Sequence, residues 1–201
     1  MNHCLILGID PAAASGWALM RPAPAPHRIG AVEGGILAHG VARNPLGVVE
    51  AVDTALQTAI DLDLPLVALA ETWRGHRRKP GPPKEGEKRI DVVQTFAGLG
   101  TAWGRWKMLL EAAATPALRE RFGLPGRMAK ARILRAHVSE WTKALGLPTK
   151  MKTEVRRTRT IAWVERRYEI RVSHDEAAAL CLCAYGQHAE KVRKSLPGAA
   201  A

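Results

Sequence analysis

The sequence predicts an α/β fold, a five-stranded mixed sheet flanked by helices. Three observations point to it. Two continuous apolar runs, residues 4–9 and 64–70, have the length and the Gly or Pro punctuation of buried strands. An amphipathic stretch, 46–62, lies between them. The order of elements along the chain is three strands, a helix, a strand, a helix, a strand and then helices, which suits one sheet with helices laid over it. The 201 residues are enough for one domain with a sizeable core, and no internal repeat or change of composition marks a second. A single domain over 1–201 is expected.

Each element has its own signal. Cys4-Leu5-Ile6-Leu7-Gly8-Ile9 reads as the first strand, which closes on Asp10 because Pro11 has no amide for a ladder. Trp17 to Met20 returns through a turn at Gly16 as the second strand. Pro22 to Pro26 is a proline-rich linker, and residues 35–41 alternate loosely as a third strand. Val48, Val49, Val52, Leu56 and Ile60 recur at helical spacing over 46–62. The fourth strand, 64–70, ends on Glu71, the second acid at the end of a buried strand. Residues 72–89 form a basic loop of Arg, Lys, Pro and Gly. Residues 90–114 read as a long helix with Phe96, Trp103, Trp106 and Leu110 on its apolar side, and 116–126 as a connection. Residues 131–137 are a fifth strand, and Ser139 starts a short helix that stops at Gly146. Residues 152–168 are a basic helix. Ser173 opens the last helix, 173–188, with Glu176 at capping-box spacing. Residues 189–201 are expected to be a flexible tail.

Charge narrows the partners. Thirty Lys and Arg against 19 Asp and Glu leave a net charge of +11, which favours a polyanion, nucleic acid first. No basic amphipathic anchor suggests a membrane surface. Cys4, Cys181 and Cys183 sit in apolar contexts as small core residues, without the CxxC pairs of a zinc site. With no recognisable leader or membrane-length apolar run, a reducing cytoplasmic setting is expected.

The acids carry the chemistry. A carboxylate at the mouth of a buried strand is costly unless a positive partner neutralises it. Asp10 and Glu71 reach the same sheet edge if their strands are parallel neighbours, and the start of the last helix can bring Asp175 there. Clustered carboxylates raise one another's pKa unless a cation intervenes, and Mg²⁺ or Mn²⁺ suits an all-oxygen site. Two such ions about 4 Å apart can activate a water and stabilise the leaving oxygen of a phosphodiester. The other reading of Asp175 and Glu176 is helix capping, which acids in a first turn also favour. His174 is a candidate proton carrier or ligand, or else a solvated side chain at a helix start.

These segments resemble a known family. Gly8-Ile9-Asp10-Pro11 with Ser15-Gly16-Trp17-Ala18, then Ala68-Leu69-Ala70-Glu71, then His174-Asp175-Glu176-Ala177-Ala178-Ala179-Leu180 are similar to the active-site segments of RuvC-type Holliday junction resolvases, members of the RNase H-like nuclease superfamily. Arg132 to Lys143 resembles the fifth strand and following turn of phage-type relatives. The resemblance implies an RNase H-like fold and a Mg²⁺-dependent, usually homodimeric endonuclease that nicks paired strands of four-way DNA in a bacterial or phage-infected cell. By position it makes Asp10, Glu71 and Asp175 metal ligands, with His174 and Glu176 as further catalytic candidates. The family commonly carries two acids three residues apart on the last helix. Here the partner of Asp175 is Ala178 and that of His174 is Ala177, which leaves activity, rather than fold, in question. A junction-binding protein with a weakened site and a nuclease acting on RNA-containing substrates are the alternatives. An actin-like or sugar-kinase ATPase half would need a second phosphate loop and far more chain.

Two basic regions are candidates for DNA. Trp73, Arg74, Arg77, Arg78 and Lys79 follow Glu71 directly, where cations can meet phosphates near a scissile bond and Trp73 can stack on a base. Lys150, Lys152, Arg156 and Arg157 form a second patch at the penultimate helix. The first region also reads as a solvated, charged loop.

Overall fold

The computed structural model describes residues 4–12, 14–21, 35–72, 101–111, 131–149 and 152–195. The proline-rich linker, residues 73–89 with Trp73, Arg74, Arg77, Arg78 and Lys79, the first part of the long helix, the 116–126 connection and Lys150 lie outside them.

Five strands form one sheet: β1 (Leu5–Asp10), β2 (Ser15–Met20), β3 (Ile36–Ala42), β4 (Leu66–Thr72) and β5 (Arg132–His137). Their spatial order is β3-β2-β1-β4-β5. The first three run antiparallel as a meander, and β4 and β5 lie parallel to β1. The expected five-stranded mixed sheet is present. The helices are α1 (Pro45–Asp61), α2 (residues 101–111), α3 (Val138–Ala144), α4 (Thr153–Tyr168), α5 (His174–His188) and α6 (Glu190–Ser195).

Alternation along the strands divides them into two faces. Leu5, Leu7 and Ile9 of β1 join Leu19, Leu66, Ala68 and Ala70 under α1 and under Trp106 and Leu110 of α2. Cys4 and Ile6 join Ala18, Met20, Val67, Leu69 and Ala136 under α5. Asparagine at position 44 caps α1 by accepting from the Gly47 amide, with Pro45 at the first helical position.

Helix α5 is buried from Ala177 to Ala184, and its small residues let it lie close to the sheet. Gly8 and Gly16 complete the fit from below. A Cβ at Gly8 would overlap the Ala179 carbonyl oxygen, and one at Gly16 would overlap the carbonyl oxygen of Asp175. Gly16 is therefore a strand residue chosen for close approach rather than the turn residue its sequence context suggests. The three cysteines are buried and free, and burial pushes the Cys4 and Cys183 thiols up to about 12.

Some boundaries differ from expectation. Strand β4 runs through Glu71 to Thr72, so Glu71 sits inside the ladder opposite Ala136. Helix α3 is capped by His137, whose Nδ1 accepts from the Ser139 amide, rather than by Ser139. The expected tail begins as α6, where Val192 is fully buried and Lys191 donates to the Arg135 carbonyl at 2.7 Å. No helix among the described residues is long and apolar enough to cross a membrane.

Candidate metal centre

The sheet register places the two strand acids. Parallel β1 and β4 pair Ile9 with Ala70, so the next pair along is Asp10 and Glu71. Adjacent strands lie about 4.8 Å apart, and alternation turns both carboxyl groups to the α5 face. Both are buried, Asp10 with 9% of its surface exposed and Glu71 with 6%. Over them stands the first turn of α5. Ligand atoms of Asp10, His174 and Asp175 all come within 4.8 Å of one another. Glu71 is outside that trio but lines the same cleft, of about 100 Å³, together with Trp141, Arg156, Arg157 and Ala178. That is several times the roughly 10–15 Å³ that one water needs.

The electrostatics follow from this crowding. Burial, followed by the charge of Asp175, pushes the Asp10 carboxyl up to about 7 against the opposing pull of Arg156 and Arg157. Burial and then the charge of Asp10 push Glu71 up to about 8, opposed by Arg156 and by the Trp141 hydrogen bond. Trp141 donates from its indole nitrogen to Glu71 Oε2 at 3.1 Å. Among the described residues, neither Asp10 nor Glu71 has an ion-pair partner. Two buried carboxyls raised to about 7 and about 8, with the Asp175 carboxyl beside them, form a donor set that fits a hard divalent ion.

Burial lowers His174, the hydrogen bond and charge of Asp175 raise it, and Arg157 and Arg156 lower it, with the balance below the ordinary imidazole value. Its Nδ1 lies 3.1 Å from Asp175 Oδ1. A carboxylate oxygen accepts, so in this contact Nδ1 donates and Nε2 is the ring nitrogen that it leaves uncommitted.

Asp10, Glu71, Asp175 and His174 are thus brought to one cleft, but Glu176 is not. Its Oε2 takes the Ser173 amide at 2.9 Å and the Ser173 hydroxyl at 2.6 Å, while Oε1 lies 2.8 Å from His39 Nδ1. Burial opposes its ionisation, but these hydrogen bonds outweigh that and hold it below the usual carboxylate range. The capping reading holds for Glu176, and the cleft takes Asp175. Ala178 lines the cleft, whereas Ala177 is buried in the core.

Of the basic patch, Arg156 and Arg157 line the cleft, and Arg157 also pairs with Glu154 at 3.3 Å. Lys152 is exposed at the start of α4. Sequence reasoning missed Thr153 and Thr160, which share that wall. The signal was present: Thr153, Arg156, Arg157 and Thr160 form a polar stripe at helical spacing. It also missed Trp141 and His39, whose partners lie 70 and 137 residues away along the chain, beyond any local pattern.

Neither a protein-family model nor a curated protein matches the sequence. Two solved structures are similar in shape at low identity. One is the RuvC structure from Thermus thermophilus, at 15% identity and a TM-score of 0.49 over 90% of this chain and 92% of that one. The other is T. thermophilus RuvC in complex with a Holliday junction substrate, at 12% identity and a TM-score of 0.49 over 92% and 93%.

Proposed function

We propose that this protein is a divalent-metal-dependent, structure-selective DNA endonuclease of the RNase H-like type, hydrolysing phosphodiesters in four-way or other branched DNA. The observation that carries the proposal is the meeting of Asp10, Glu71 and Asp175, from three separated segments, around one cleft walled by arginines. The active-site-like segments around these acids and the net charge of +11 support it.

In this reading Asp10, Glu71 and Asp175 hold Mg²⁺ or Mn²⁺, and two ions suit the donor set. Such ions, when bound, activate a water and stabilise the leaving oxygen. Arg156 and Arg157 hold phosphate oxygens over the carboxyls, which repel phosphate when ionised. Trp141 fixes the rotamer of Glu71 through its indole N–H. His174 keeps Nε2 free as a proton acceptor beside Asp175. A four-way junction presents two strands to cut, so the reading includes a homodimer.

A second reading has a specific observation behind it. Ala178 stands in the cleft where the resembled family carries an acid, which favours a protein that binds junctions and cuts them slowly or not at all. The test is a synthetic four-way junction incubated with the full chain and Mg²⁺ or Mn²⁺. Paired nicks that disappear in EDTA support the endonuclease. Tight binding without nicking in either metal supports the second reading.

A further inference from the structure

Histidine 39 lies on β3, far from the acids in sequence and on the outer edge of the sheet. Its cross-strand partner is Ala18, a residue of the α5 face, so His39 faces α5 as well. There its Nδ1 meets Glu176 Oε1 at 2.8 Å, with both side chains largely covered. Because the carboxylate only accepts, the imidazole donates from Nδ1.

A capping box is complete without this bond. Ser173 and Glu176 already satisfy each other's backbone amides at the start of α5, using Oε2 alone. The His39 contact adds a lateral tie from the first turn of α5 to β3. That turn also carries His174 and Asp175. The backbone of Asp175 rests on β2 at Gly16, where there is no room for a Cβ. Its carboxylate meets Asp10 of β1. Residues 174–176 are thus referenced to three strands at once: β1 through the acid, β2 through glycine and β3 through His39.

We propose that His39 is a positioning residue for the metal centre: through Glu176 it sets the first turn of α5 so that Asp175 and His174 stand close to Asp10. The proposal rests on reading the cleft as a cation site. Its test compares two variants of similar side-chain length on the full protein. His39→Gln keeps an N–H donor within reach of Glu176, and His39→Met removes it. Calorimetric titration with Mn²⁺ alone gives the affinity, and thermal melting of the metal-free proteins gives the stability.

The expected result is that His39→Met weakens Mn²⁺ binding about tenfold, the lower end of what outer partners of metal ligands contribute. His39→Gln should return towards wild type, and the metal-free melting temperatures of the two variants should agree. Wild-type affinity in a folded His39→Met protein would overturn the positioning role and leave the cation site standing. Failure of both variants to fold would overturn it too, by making the contact a requirement of the fold. Absence of Mn²⁺ binding by the wild type would instead sink the cation site, and the role of His39 with it.

Discussion

The two faces of the central strands are built from the same short segments yet have opposite chemistry. Under α1 and α2, β1 and β4 present Leu5, Leu7, Ile9, Leu66, Ala68 and Ala70, an apolar run that gives way only to Thr72 at the end of β4. Under α5, alternate residues of the same strands run from Ile6 and Val67 through Gly8 and Leu69 to Asp10 and Glu71. One face stays apolar up to Ile9 and Ala70. The other turns acidic at the C-terminal ends of the strands, where the first turn of α5 closes over it. The difference teaches that a site needs only two substitutions of type on one parity of a strand, provided that the covering helix can come close. Gly8 and Gly16 give it that access.

The largest expected effect breaks that close approach. Gly8→Ala or Gly16→Ala sets a Cβ against helix backbone that cannot give way, so α5 must lift. A loss of about 3 kcal/mol or more is expected in urea unfolding, at the top of the usual range for overpacking. On the apolar face Leu7→Ala leaves a cavity instead and costs about 2–5 kcal/mol. The two kinds of loss are separable by activity. On the proposed function, a folded fraction of Leu7→Ala is expected to keep metal-dependent nicking and Gly16→Ala to lose it, because the backbone of Asp175 must move.

Next in size are the strand acids themselves. Asp10→Asn and Glu71→Gln are each expected to reduce nicking of a four-way junction by at least about 100-fold, more than the loss of an outer partner. They should not cost stability. Both acids hold protons in the fold that the unfolded chain releases near pH 4. The folded state therefore binds more protons than the unfolded state between about pH 4 and pH 8, and stability falls as pH rises through the raised values of about 7 and about 8. In EDTA the wild-type melting temperature should drop between about pH 5 and pH 8 relative to Asp10→Asn, and Mg²⁺ at the upper end should restore it. A melting curve whose pH slope is the same in wild type and variant would remove the strained acid pair from the account.

The smallest effect concerns the arginine wall. Arg156→Gln removes one cation from the cleft without touching a ligand. Junction affinity should fall several-fold and the slope of log affinity against log salt should decrease by about one. An unchanged slope would place the DNA elsewhere.

Much of this was legible in sequence, for physical reasons that stop at definite places. The two buried strands and their terminal acids were legible because a continuous apolar run ending in a carboxylate breaks the ordinary pattern. The capping box at Ser173 and Glu176 was legible because its spacing is local. Which of two adjacent acids enters the cleft was given by the resemblance, as Asp175, and not by the local pattern, since it depends on how α5 is rotated on Gly8 and Gly16. Whether Glu71 stops at the strand end or stays in the ladder depended on β5, which supplies Ala136 opposite it. The Trp141–Glu71 and His39–Glu176 bonds have no local signature, because each joins elements that only the sheet order brings together. The cap of α3 shifted to His137 because an imidazole nitrogen can accept an amide as a hydroxyl does.

The central claim is that the carboxyls of Asp10, Glu71 and Asp175 take a divalent cation, which displaces the protons that burial favours on Asp10 and Glu71. Anomalous diffraction from crystals soaked in Mn²⁺ tests it most directly. A peak is expected in the cleft within coordination distance, about 2.0–2.6 Å, of oxygens from Asp10 and at least one of Glu71 and Asp175. A well-occupied peak elsewhere on the molecule, with none between these three side chains, would contradict it.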